Sequence, residues 1–122
     1  MVGYNKKIGT HGENLAQSYL EKLGYKILAN NFRCKVGEID IITLFPNTNY
    51  ICFVEVKSRF TSVYGRPCES ITYKKILNLR HTAEFYIMKN KLYNYNFRFD
   101  VIEIIFNNNN TDYLLEHIKN AF

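Results

Sequence analysis

Four charged side chains interrupt two otherwise apolar runs: Glu38 and Asp40 in "GEIDIITL", and Glu55 and Lys57 in "YICFVEVK". Side chains on a strand alternate faces, so Glu38 and Asp40 share one, as do Glu55 and Lys57. The intervening "FPNTN" has the Pro and Asn chemistry of a turn, and predicts that the two runs pair as an antiparallel hairpin. With the loop centred between Asn47 and Thr48, Asp40 falls opposite Glu55, and Glu38 opposite Lys57. Directly opposed carboxylates repel at a cost on the order of 0.2–1 kcal/mol, and more where water is excluded. A divalent cation between Asp40 and Glu55 removes that cost. Oxygen ligands with no His or thiolate nearby suit Mg²⁺ or Mn²⁺ rather than zinc. Lys57 is placed to offer positive charge to an attacking water or a phosphate oxygen. The same residues also admit a plain reading, with Glu38 and Lys57 as a cross-strand ion pair and Asp40 capping a turn.

The elements that must position these residues follow from hydrophobic periodicity. Leu15, Ala16, Tyr19, Leu20 and Leu23 recur at helical spacing over Gly12 to Leu23, with Gly24 as the stop and Glu13 in the first turn, where the helix dipole favours a carboxylate. Tyr25 to Phe32 reads as a strand, Arg33 to Gly37 as a turn, and Ile39 to Leu44 and Tyr50 to Lys57 as the hairpin. The predicted pairing puts Ile39, Ile41, Val54 and Val56 on one face, and continues the charged face with Ile42, Leu44, Ile51 and Phe53. Both faces are therefore apolar, which predicts a sheet covered on both sides. Ser58 to Cys68 reads as a loop, Ser70 to Asn90 as a second amphipathic helix, and Phe97 to Phe106 and Tyr113 to Ile118 as closing strands. The order α, β, β, β, α, β, β predicts an α/β or α+β fold around one mixed sheet.

The 122 residues suffice for one domain with a real core, 1–122. No apolar stretch approaches the roughly 18 residues of a membrane span. The start "MVGYNKKIGTHGEN" lacks the apolar stretch of a signal peptide, so a cytoplasmic location and no membrane partner are expected. Cys34, Cys52 and Cys68, an odd number without a CxxC pair, are read as buried or half-buried thiols rather than disulfides or zinc ligands. A formal net charge of +5 suits a polyanionic partner such as nucleic acid.

"GEID" followed by a hairpin and "FVEVKSR" resembles the D…(D/E)xK signature of the restriction-endonuclease-like nucleases, here as Asp40, Glu55 and Lys57. Over nearly the whole chain, "GENLAQSYLEKLGYKILANNFR", "GEIDII", "FVEVKSR", "YGRPCESIT", "RFDVI" and "EHIKNAF" look like the YraN-like family of small bacterial proteins. That resemblance implies an αβββαβ nuclease-like core, distantly similar to Holliday-junction resolvases. It implies Asp40, Glu55 and the first-helix Glu13 as ligands of Mg²⁺ or Mn²⁺, and Lys57 as the catalytic lysine. Ile39 stands where such nucleases usually carry a proline, a position that supplies no ligand. Because related resolvases act as dimers, a homodimer is also implied.

The expected function is a metal-dependent endonuclease acting on DNA, including branched or recombination intermediates. Its alternatives are a nucleic-acid-binding module that keeps the fold without cleaving, and a scaffold for another enzyme. In a binding module Arg33, Lys35, Arg59, Arg66, Lys74 and Lys75 would hold phosphates while Tyr64 or Phe60 stacks on bases. Glu38 and His11 lie close to the expected site without an assigned role. Asp100 is expected at most to pair with a helix lysine, and His81 and His117 to pack or face solvent.

Overall fold

A computed structural model describes residues 2–60, 71–107 and 112–122 of the chain, with side chains from residue 9 onward. Among them lie α1 (Val2–Lys22), β1 (Lys26–Cys34), β2 (Gly37–Leu44), β3 (Tyr50–Phe60), α2 (Tyr73–Lys89), β4 (Asn96–Phe106) and β5 (Tyr113–Ile118). The strands form one sheet in the order β1-β2-β3-β4-β5. Neighbours are antiparallel except β3 and β4, which run parallel with α2 as the crossover that such a pair requires. The architecture is α+β, an αβββαβ core with β5 added at the edge, consistent with the restriction-endonuclease-like arrangement expected.

Helices cover both faces. Ala16 and Leu20 of α1 pack on Ile41, Cys52, Val54, Ile102, Ile104 and Phe106, while Leu79, Ala83 and Tyr86 of α2 pack on Ile39, Ile42, Ile51 and Phe53. The sheet is thus apolar on both sides for the reason its strand sequences suggest. Ile39 departs from expectation, since it joins the α2 side and not the α1 side with Ile41. Alternation slips at Asp40, where the adjacent strand carries Asn31 with a left-handed φ of 50°.

Several boundaries also move. α1 begins at Val2, so Glu13 lies in the helix interior and gains nothing from the first-turn dipole. β3 extends through Ser58, Arg59 and Phe60 because it pairs with β4 along its whole length, ending at Phe60 opposite Phe106. α2 starts at Tyr73 because the Thr72 hydroxyl accepts from the Lys75 N–H at 3.1 Å, an N-cap. Tyr64, Arg66 and Cys68 fall outside the described residues; of the other two thiols, Cys52 is buried and Cys34 half-buried. Among the described residues no helix is long and apolar enough to cross a membrane.

Gly12 sets how closely α1 approaches β3. A Cβ there would run into Ser58 Oγ and lie 3.1 Å from Ser58 Cβ. Gly12→Ala is therefore expected to cost about 1–3 kcal/mol through overpacking, despite alanine's better helix propensity. Urea denaturation measures it, and an unchanged or raised midpoint would refute the close-approach account.

Candidate active site

Residues Ile41–Leu44 of β2 pair with Ile51–Val54 of β3 in the predicted register, and the ladder stops there. The next rung brings Asp40 to Glu55. Asp40 Oδ2 accepts from the Val56 backbone N–H at 2.8 Å, taking the place of a backbone partner, and the Asp40 and Glu55 carboxyl groups lie within interacting reach of each other. Each residue is only 8% exposed. Burial, then the bond to Glu55 and its charge, push the Asp40 carboxyl far above the usual carboxylate range, against the opposing pull of the Val56 amide.

The notch has two sides. Toward α1, Glu13, Asn31 and Asp40 line a cavity of about 200 Å³. Burial raises the Glu13 pKa; a hydrogen bond with Asn31 opposes the rise, and the charges of Glu38 and Glu55 add to it. Toward α2, Glu38, Glu55, Lys74 and Lys75 line a cavity of about 350 Å³. Lys75 Nζ lies 3.5 Å from Glu55 Oε2 and within hydrogen-bonding reach of Lys57. Burial, with Lys75 next to it, lowers the Lys57 pKa although Glu55 and Asp40 pull the other way. Burial alone would lower Lys75 too, but Lys57 and Glu55 hold its pKa above the ordinary value.

Asp40, Glu55, Lys57 and Glu13 therefore gather where the sequence placed them, and Lys75 joins them, closer to the carboxylates than a mere phosphate contact. Only the capped start of α2 reveals that placement: Thr72 fixes the helix phase so that Lys75 faces β3. Glu38 does not face Lys57. It accepts from Arg33 Nε at 2.7 Å, because β1 sets Arg33 directly beside it. His11 is drawn off to stack on Phe106 at 5.2 Å between ring centres. Lys74 is exposed, Arg59 is half-buried at the end of β3, and Phe60 packs on the α1-side core instead of offering a stacking face. Among the described residues no group of three or more His, Cys, Asp or Glu is placed to hold a metal ion. The acidic side chains at the notch, Glu13, Asp40 and Glu55, nonetheless offer crowded carboxyl oxygens, which is the chemistry a hard divalent cation fits.

A second polar cluster went unread in the sequence. Asp100 is 0% exposed. It accepts from Arg98 Nε at 2.9 Å and Arg98 Nη2 at 3.0 Å, from the Asn120 N–H at 3.0 Å, and bonds His117 Nε2 at 2.7 Å. His117 Nδ1 lies 3.1 Å from the Tyr19 hydroxyl. Asp100 thus pairs within its own strand and with β5, not with a helix lysine as expected. Its one legible sign was the i, i+2 spacing of Arg98 and Asp100 in "RFD", which puts both on one strand face.

Known proteins place the chain. The profile of "Uncharacterised protein family UPF0102" matches residues 12–104. A UPF0102 protein of Clostridium novyi (strain NT) is 52% identical over 122 residues, covering 100% of both chains. One from Clostridium kluyveri is 52% identical over 100% of this chain and 98% of its own, and one from Clostridium acetobutylicum 55% identical over 97% and 95%. With the profile spanning the notch and relatives matching end to end, the chain belongs to the UPF0102 family, the group to which its motifs point under the description YraN-like.

Proposed function

We propose that the protein is a metal-dependent phosphodiesterase acting on DNA. One observation carries the reading: two buried acidic side chains, Asp40 and Glu55, stand side by side and next to two lysines at the interrupted end of a strand pair. Folding stability alone does not favour that arrangement, and perturbed titratable groups in a cleft mark functional sites. Asp40 and Glu55 would hold Mg²⁺ or Mn²⁺, with Glu13 adding negative charge from α1. When bound, the cation supplies charge for the scissile phosphate and lowers the pKa of an attacking water. Val56 N–H fixes the Asp40 carboxylate in place. Lys57, inclined by burial toward its neutral amine, can accept a hydrogen bond from water and orient it, while Lys75 keeps its charge for a phosphate oxygen.

A second reading, a nucleic-acid-binding module that does not cleave, draws support from the absence of a third metal-ligating side chain grouped with the pair among the described residues. Incubation of the purified protein with linear, flapped and branched DNA and Mg²⁺ or Mn²⁺ separates the two. Cleavage is expected, falling by about 10²–10³-fold in Lys57→Ala, the range for losing one group that stabilises developing charge. Salt-sensitive binding with no cleavage of any substrate would leave the binding module standing, and cleavage that survives Lys57→Ala undiminished would belong to a contaminant.

A further inference from the structure

α2 buries one face and leaves another bare. Tyr73, Leu77, His81, Phe85 and Met88 recur at three- and four-residue spacing on its outer side, all exposed. Phe85 is 48% and Met88 64% exposed, and Val36, in the β1–β2 turn beside them, is 47% exposed. A contiguous apolar surface of this kind on a small chain calls for an occupant. Between the turn and α2 it forms a groove of about 610 Å³, with Arg33, Lys35 and Lys89 on its rim against a single acidic side chain, Glu84. The groove and the notch border the same turn and the same helix: Arg33, Lys35 and Val36 line the groove, and the next residues, Gly37 and Glu38, line the cavity that holds Glu55 and Lys75.

The combination selects the occupant. A second copy of the chain would bring one basic rim against another and meet like charge. A duplex offers phosphates but hides its base faces, leaving the apolar floor uncovered. A single strand offers both, with bases that stack on apolar and aromatic side chains and phosphates for Arg and Lys. Arg33 can take part although it is paired with Glu38, because its side chain remains 74% exposed.

We propose that this groove binds an unpaired nucleic-acid strand, bases on Val36, Phe85 and Met88 and phosphates on Arg33, Lys35 and Lys89, and leads it to the notch. The inference rests on the phosphodiesterase reading and narrows its substrate to DNA with an unpaired segment next to the cut.

Binding is tested apart from cleavage, by fluorescence anisotropy without divalent metal, on labelled oligothymidylate and on a duplex of equal length. Wild-type protein is expected to prefer the single strand. The Phe85→Ala, Met88→Ala double variant is expected to weaken that binding by about 10-fold or more, from lost stacking, and to leave duplex binding unchanged. Lys35→Ala with Lys89→Ala is expected to lower the salt dependence on the single strand. These side chains are exposed, and circular dichroism confirms that each variant is folded. Equal affinity for strand and duplex, or an apolar variant that binds like wild type, overturns the proposal. So does a wild-type dimer in sedimentation that the apolar variant dissociates, which makes the stripe a self-association face. Selective binding without cleavage by any substrate keeps the groove and removes the nuclease, whereas cleavage of plain duplex without strand preference does the reverse.

Discussion

Asp40→Asn is expected to abolish cleavage and, without metal, to make the protein more stable. Asparagine keeps an oxygen for the Val56 N–H and cannot ionise, so the fold loses little. What it loses in activity is large, about 10³-fold or more, as when one member of a concerted catalytic set is removed. Stability moves the other way because the folded Asp40 carboxyl titrates well above its unfolded value. Between those two pKa values the folded state holds a proton that the unfolded state releases, so this group's contribution falls as pH rises above about 4. Near neutral pH the substitution should recover on the order of 1–3 kcal/mol. On the proposed reading the cation binds only the folded state, so Mn²⁺ should raise the melting temperature of wild-type protein and leave Asp40→Asn unmoved. Calorimetry with and without Mn²⁺ reads both effects. A variant less stable than wild type in chelator, yet equally stabilised by Mn²⁺, would show that Asp40 is structural and the cation binds elsewhere.

Asp100→Ala is expected to produce the largest loss of stability. Arg98 is 12% exposed and His117 3%. Removing the buried carboxylate leaves Arg98 without its counter-charge and His117 Nε2 and the Asn120 amide without their acceptor, a cost on the order of 3–5 kcal/mol. Asp100→Asn should cost less, since it keeps an acceptor. Burial alone would raise the Asp100 pKa, but His117, Arg98 and the Asn120 amide together hold it below the usual carboxylate range. Its stabilisation is therefore full above the unfolded value near 4 and is lost as pH falls through the folded one. The two aspartates thus impose opposite slopes, with Asp100→Asn flattening the acid limb of the stability profile and Asp40→Asn the limb above pH 4. Urea midpoints across pH measure both, and an Asp100→Asn profile parallel to wild type in acid would refute the assignment.

The hairpin was legible because its signals agree: β-branched runs, a Pro/Asn loop and charges at one end leave a single register that keeps the apolar faces whole, and Ile41 does pair with Val54. Asp40 and Glu55 meet as a direct result. Period-two reasoning failed at Ile39, where the left-handed Asn31 on the neighbouring strand breaks alternation, because nothing local to "GEID" reports the conformation of β1. Glu38 was assigned to the wrong partner for the same reason, since strand spacing supplies candidates on both sides and Arg33 is nearer than Lys57. The helix was expected only from Gly12, because its apolar repeat begins at Leu15, whereas α1 starts at Val2 and at Gly12 the absent side chain is what close packing on Ser58 requires. The Asp100 cluster depends on β4, β5 and α1 meeting, a long-range fact with almost no local trace.

The parallel pairing of β3 with β4 has a consequence for the order of events in folding. β1, β2 and β3 are joined by short turns, so their contacts close small loops, whereas β3 and β4 can pair only after α2 and its connections have been spanned. Asp40 and Glu55 come together on the early part of this sequence, as solvated neighbours on a hairpin. Their seclusion, and the approach of Lys75 from α2, wait for the crossover to dock. The burial that raises the Asp40 pKa is accordingly a late product of assembly, supplied by the second helix and not by the hairpin.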